Sequence, residues 1–252
     1  MNIAFRSDIG RIRLVNEDRA WAQQENNGCA VAIVADGMGG HLAGEVASQL
    51  AVDTFRESLD GIELPALSQE ERRNLVRSAI LQANEVVYDM ASRNDQYHNM
   101  GTTVVAVLAG QEGGVIGHIG DSRVYIWNKG QLIQLTEDHT LVNELAKTGQ
   151  ISQEEAANHP RRNVLTRALG TDEQVEVDLI DFDWERGDLL LLCSDGLSTM
   201  VADDEMSTIL DGGDHDLDAK AEQLVELALQ AGGDDNITVV LLHHVGDTEQ
   251  EG

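Results

Sequence analysis

An α+β fold is predicted for this chain of 252 residues on three observations. Apolar residues switch between short alternating or continuous runs and stretches of 3.6-residue period, so strands and helices are both present. The strands come in successive groups separated by pairs of helices, not one for one, which favours layered sheets over a doubly wound parallel sheet. No Pro-, Ser- or Gly-rich linker divides the sequence, so residues 1–252 are read as one domain.

Residues 2–8, 19–24 and 29–35 read as strands, the last apolar enough (Cys29 to Ala35) to lie centrally in a sheet. A helix is expected from Gly44 to about Leu59, with Val46, Leu50, Ala51 and Phe55 at helical spacing, broken by the sequence GIELPA. The next helix is marked by the capping-box pair Ser68 and Glu71 and by an apolar stripe through Leu75, Ala79, Ala83, Val86, Val87 and Met90. Residues 102–109, 115–119, 123–127 and 131–135 then read as an antiparallel meander, the last pair joined by the turn Asn128-Lys129-Gly130. Residues 138–174 are polar, carry a second capping-box pair (Ser152, Glu155) and show only short helical stretches, the pattern of a mobile surface insertion. Strands resume at 175–182 and 188–193, a helix spans about 216–230, and 237–243 closes the pattern as a strand.

Composition excludes several functions. Asp and Glu number 45 against 17 Lys and Arg, a net charge of −28, which disfavours nucleic acid and anionic membranes as partners and favours cations and basic peptides. Arg6 and Asp8 interrupt any secretory leader, and the longest apolar runs fall far short of a membrane span, so a cytoplasmic protein is expected. Cys29 and Cys193 lie in apolar runs without CxxC spacing and read as buried free thiols of a reducing compartment.

Four aspartates share one local setting, at the edge of a strongly apolar strand: Asp36 in VAIVADG, Asp121 in VIGHIGDSR, Asp195 in LLLLCSDG and Asp235 in GGDDNITVVLL. Carboxylates brought together from several strand ends repel one another unless cations neutralise them, and oxygen-only ligation suits magnesium or manganese. Singly, each Asp also reads as an ordinary turn residue. The glycines of DGMGGH let the backbone approach a ligand and turn a carbonyl, such as that of Gly37, toward a metal. His41 there reads either as a proton donor or as a helix-capping histidine. Upstream, GRIRLVNEDR offers Arg13 as a fork for phosphate oxygens, or as a surface ion pair, followed by Glu17 and Asp18.

The strings SDIGRIRLVNEDR, VADGMGGH with GEVAS, GTT, GHIGDSRVYIW, LTEDHTLV, HPRRNVLTRALG, LLLLCSDGLS and GGDDNITVV occur in one order from about Ser7 to Leu242. In this order they resemble the bacterial metal-dependent serine/threonine protein phosphatases of type 2C, the PPM family. The resemblance implies a four-layer α-β-β-α sandwich of two antiparallel sheets with a two-metal site at one edge and residues 138–174 as a flap. It implies that Asp36 bridges two manganese or magnesium ions, that Gly37 adds its carbonyl, and that Asp195 and Asp235 complete one shell. Glu17 and Asp18 match the acidic pair that orients waters at the metals, Arg13 the phosphate-binding arginine, and Asp121 the ligand of a third, weaker metal. His41 falls near the position of the general acid, in a loop longer than the motif's simplest form.

The implied activity is hydrolysis of phosphoserine and phosphothreonine on proteins by a two-metal-activated water, without a phosphoenzyme. The implied partners are phosphoproteins of a cognate serine/threonine kinase, met by a cytoplasmic monomer. A non-catalytic, metal-stabilised binding module is the competing reading, and it expects at least one of these acids to be lost. Other hydrolase chemistries lack their parts. A cysteine phosphatase loop needs Arg six residues after Cys, where this chain has Thr199 and Ala35, and HExxH, GxSxG and GxxxxGK[ST] are missing. His243 and His244, adjacent on a strand and so on opposite faces, read as structural.

Overall fold

The apolar runs become strands buried on both faces. In this computed structural model, which describes residues 1–25, 28–39, 42–212 and 216–245, the elements follow in chain order. The first half holds β1 (Asn2–Asp8), β2 (Asp18–Gln24), β3 (Ala30–Met38), α1 (Ala43–Glu57), α2 (Gln69–Arg93), β4 (Gly101–Thr102), β5 (Val104–Ala109) and β6 (Gly113–Ile119). The second holds β7 (Arg123–Asn128), β8 (Gln131–Gln134), α3 (Leu141–Lys147), α4 (Gln153–Ala157), β9 (Asp178–Asp183), β10 (Leu189–Cys193), α5 (Asp195–Ser198), α6 (Asp203–Asp211), α7 (Leu217–Ala231) and β11 (Ile237–His243).

One sheet runs β1-β11-β10-β7-β8, the other β2-β3-β5-β6-β9 with β4 beside β3, and each strand pair is antiparallel. Successive side chains on a strand point to opposite faces, and here both faces are covered. Ala30, Ala32 and Val34 of β3 meet Leu190, Leu192, Val240 and Leu242 between the sheets. Val31, Ile33 and Ala35 of the same strand face Ala47, Ala51 and Phe55 of α1 and Ile80, Ala83 and Val87 of α2. Leu189, Leu191, Val239 and Leu241 face Met206 and Leu210 of α6 and Ala221, Leu224 and Ala228 of α7. The layers are therefore helix, sheet, sheet, helix. Each such fully buried aliphatic side chain contributes roughly 1.5–3 kcal/mol of transfer free energy.

Helix α2 starts where its capping box predicts. The Ser68 N–H donates to Glu71 Oε2 at 2.8 Å and the Glu71 N–H to Ser68 Oγ at 3.4 Å.

Two expectations need correction, and one helix goes unread in the sequence. The strands after α2 do not form one meander: β5 and β6 pair in one sheet, whereas β7 and β8 pair in the other. Gly120 makes the crossing with φ +112°, and a Cβ there would lie 2.6 Å from Thr103 Cβ. The strand expected from residue 175 begins at Asp178, because Val175 and Val177 instead pack onto the α1/α2 core outside the ladder. Helix α6, unread in the sequence for want of a side-chain N-cap, buries Met206 and Leu210 one turn apart. Residues 138–174 hold α3 and α4 and return through the bridges Thr140–Leu165 and Thr102–Leu169. No helix among the described residues is long and apolar enough to cross a membrane.

Candidate active site

The two sheets bring their acidic strand ends to one edge. In the β2–β3 register Asp18 lies opposite Asp36. Asp36 is held by its backbone: its N–H donates to Thr103 Oγ1 at 3.0 Å, and its carbonyl accepts from Thr103 N at 2.9 Å and Thr102 Oγ1 at 2.9 Å. From the other sheet, Asp195 follows β10 and Asp235 precedes β11. Ser194 stitches the sheets together, its Oγ donating to Asp18 Oδ2 at 2.7 Å and accepting from Thr238 N at 2.9 Å.

Close backbone packing adds the remaining pieces. The Gly37 N–H donates to Glu17 O at 3.2 Å, and a Cβ on Gly37 would lie 2.1 Å from Gly44 O, so only glycine fits between β2 and α1. The loop between β1 and β2 is pinned by Asn236, whose Oδ1 accepts from Glu17 N at 2.8 Å and whose Nδ2 donates to Ile9 O at 2.9 Å and Val15 O at 3.0 Å. That loop delivers Arg13, with Nη2 2.6 Å from Asp235 Oδ2 and about half of its side chain exposed.

The cluster is electrostatically incomplete as a protein alone. Burial, with Asp195 and Asp235 adding to it, pushes the Asp18 carboxyl up to about 7 despite bonds from Thr238 and Ser194. Burial and the facing Asp235 push Asp195 up to about 6. Burial followed by Asp195 and Asp138 pushes Asp121 up to about 8. Asp36, partly buried at the end of β3, is held well above the ordinary carboxylate range by burial and by the facing Asp18, Asp195, Asp121 and Asp235. Asp18 Oδ1 and Asp195 Oδ1 are buried without a hydrogen-bond partner. Unpaired buried oxygens among mutually repelling carboxylates, with no sulfur or imidazole donor among the described residues of the set, fit hard divalent cations.

Of the residues singled out in the sequence, Arg13, Glu17, Asp18, Asp36, Gly37, Asp121, Asp195 and Asp235 converge on this edge through these bonds and charge contacts. His41 lies outside the described residues. Thr103, Ser194 and Asn236 were not anticipated. Ser194 and Asn236 each stand beside an acid at a strand end, a pattern that ordinary turns share, and Thr103 in the run GTTVVAV has no such neighbour. A cleft of about 590 Å³ opens beside the cluster, lined by Asp121, Asp138, Arg162, Asp195, Ser198 and Thr199 among others. Cys29 and Cys193 are buried free thiols, and burial pushes Cys193 up to about 12, so neither offers a nucleophile here.

The sequence matches the protein phosphatase 2C family over residues 11–233, a span that holds Arg13, Glu17, Asp18, Asp36, Gly37, Asp121 and Asp195 but not Asp235. The chain belongs to the protein phosphatase 2C family. Serine/threonine phosphatase stp of Listeria monocytogenes is 43% identical over 256 residues, covering 100% of this chain and 98% of the relative. Among solved structures, the serine/threonine phosphatase of S. agalactiae superposes with a TM-score of 0.90 at 38% identity, covering 96% of this chain and 98% of that one. The catalytic domain of the phosphatase PstP, solved in complex with 2 manganese ions, matches with a TM-score of 0.82 at 36% identity over 95% of this chain and 96% of that one. This chain is accordingly an enzyme, a metal-dependent phosphatase of the serine/threonine class that the names of these relatives give. The fold of this protein phosphatase 2C member is the α-β-β-α sandwich that the sequence resemblance implies.

Proposed function

We propose that this chain hydrolyses phosphoserine and phosphothreonine on proteins at the acidic edge between its sheets. Asp36, the Gly37 carbonyl, Asp195 and Asp235 would hold two divalent cations, manganese or magnesium, and Asp121 would hold a third, weaker one. The observation that supports this most directly is the convergence of Asp18, Asp36 and Asp195 with two buried carboxylate oxygens, Asp18 Oδ1 and Asp195 Oδ1, unpaired beside a half-exposed Arg13. When bound, the cations supply Lewis-acid chemistry, neutralising phosphate charge and lowering the pKa of water so that it attacks phosphorus near neutral pH.

The protein groups do the rest. Asp18, fixed through Oδ2 by Ser194, keeps Oδ1 free to accept a proton donor and so to orient water, with Glu17 beside it. Arg13 presents its planar fork to the phosphoryl oxygens and offsets the charge that develops on them. His41 donates a proton to the departing Ser or Thr oxygen. The reaction is a single displacement with inversion at phosphorus and no phosphoenzyme. Residues 1–252 act as one catalytic domain with 138–174 as its flap, in a cytoplasmic monomer that reverses a cognate kinase.

The test is release of phosphate from a phosphothreonine peptide with manganese, with chelator, and in ¹⁸O-labelled water. Manganese-dependent release is expected, with one ¹⁸O in the phosphate and no labelled or phosphorylated protein. Asp36→Asn is expected to lower kcat by at least about 10²-fold, the scale of losing a preorganised electrostatic element. Release that survives chelation, or a trapped phosphoenzyme, overturns the reading.

A further inference from the structure

The buried His118 and His139 and the partly exposed Asp178 form a second cluster beside the site, their ligand atoms all within 4.8 Å of one another. Its hydrogen bonds exclude metal ligation by His139. Gly120 N–H donates to His139 Nδ1 at 3.0 Å, so that nitrogen carries a lone pair and the proton sits on Nε2, 3.1 Å from Asp178 Oδ2. A metal at Nε2 would require an imidazolate. The same bonds assign a different task.

His139 grips both polar groups of Gly120, since its own N–H also donates to Gly120 O at 2.8 Å. Gly120 immediately precedes Asp121, and on the other side Ser122 Oγ lies 2.7 Å from Thr103 Oγ1, which accepts the Asp36 N–H. Asp121 is thus clamped from both flanks, one clamp leading to Asp36 and the other to His139. From His139 the network reaches the far foot of the 138–174 segment, as its carbonyl accepts from Thr166 N at 2.8 Å. Arg167 completes it with Nη1 2.7 Å from Asp178 Oδ1. The His139 side chain is 3% exposed and its ring lies 4.5 Å from that of His118, which shields the Gly120 bond from water, whereas Asp178 lies at the rim with its side chain 36% exposed.

We infer that His139 is a positioning residue for the metal site, holding the Gly120 peptide so that Asp121 faces Asp195 and tying that peptide to the foot of the flap. The inference rests on the reading of Asp121 as ligand of the weaker cation. Two conservative variants separate its links. In His139→Asn, Oδ1 replaces Nδ1 and keeps the Gly120 bond but not Asp178; in His139→Gln, Nε2 keeps Asp178 and loses Gly120.

The experiment is calorimetric titration of manganese into the metal-free enzyme, with hydrogen exchange at the Gly120 amide read in the same proteins and Asp121→Asn as control. Asp121→Asn is expected to remove a weak binding phase and spare the tight one. His139→Gln is expected to weaken that phase about tenfold and to lose Gly120 protection, while His139→Asn keeps both within about twofold, the range seen for residues that orient ligands. If Asp121→Asn removes the weak phase but His139→Gln leaves it unchanged, the positioning role is overturned and the Asp121 reading stands. If Asp121→Asn removes nothing, that reading fails and the inference with it. Equal weakening of both phases by both His139 variants assigns His139 a general structural role and also overturns it.

Discussion

Arg13 and Thr103 illustrate two ways in which single residues serve the site. Arg13 reaches it from a loop and stays about half exposed, and the proposed reaction gives it electrostatic contact with the incoming phosphate. Arg13→Ala is expected to reduce kcat/KM for p-nitrophenyl phosphate by about 10²-fold or more, with Arg13→Lys recovering only part because an ammonium lacks the planar fork. Steady-state kinetics on the three proteins checks this. Thr103 touches no substrate, yet its hydroxyl accepts the Asp36 N–H and pairs with Ser122. Thr103→Val preserves shape and leaves the Asp36 N–H buried without a partner, which is expected to cost about 1–3 kcal/mol in urea unfolding. Activity should fall as well, because Asp36 loses part of its anchor.

At the scale of elements, the 138–174 segment is tied to the sandwich at its far end by one buried side chain of α2. Asn84 accepts from Gly170 N at 2.8 Å and donates to Asp172 O at 3.1 Å and Glu173 O at 3.2 Å. Asn84→Ala is expected to cost about 1–3 kcal/mol through the groups left unpaired. Limited proteolysis around 170–173 should quicken, while the metal edge, built by other strands, retains its manganese affinity. Loss of manganese binding in this variant would mean that the segment and the carboxylates are one cooperative unit.

For the molecule as a whole, the carboxylate cluster makes stability depend on pH and on cations. Asp18 and Asp121 are raised from about 3.8 to about 7 and about 8, and Asp36 well above its ordinary value, chiefly by burial. An acid raised in the folded state binds its proton more tightly there than in the unfolded chain, so its contribution is present at low pH and lost as pH rises through the folded value. The buried His118, held down to about 3 by burial, works in the opposite direction, but only below the ordinary histidine value of 6.5. Between pH 7 and 8.5 the carboxylates dominate. The metal-free protein is expected to melt at least 2–4 °C lower at pH 8.5 than at pH 7, about the equivalent of 1 kcal/mol for this size, and manganese should abolish the difference. Scanning calorimetry with and without chelator checks it. The charge of −28 acts at longer range: peptides with basic flanks should be turned over faster than acidic-flanked ones at low salt, and the preference should shrink at high salt.

Much of this was legible from order and pattern. The strand ends carrying Asp36, Asp195 and Asp235, the capping box of α2 and the glycines of DGMGGH are local signals, because apolar runs, caps and turns are set by neighbours in the chain. The meander was misread because a Gly-Asp-Ser link between two strand-like runs looks the same whether the strands pair or part. Only the left-handed Gly120, lodged against Thr103, sends β7 to the second sheet. Thr103, Ser194, Asn236 and His139 were invisible for the same reason, since the partners that place them lie between 19 and 227 residues away. By itself the sequence determined which acids stand at strand ends and which faces are buried. Tertiary structure alone decided that those ends meet, because like charges converge only when the burial of two sheets and two helix layers outweighs their repulsion.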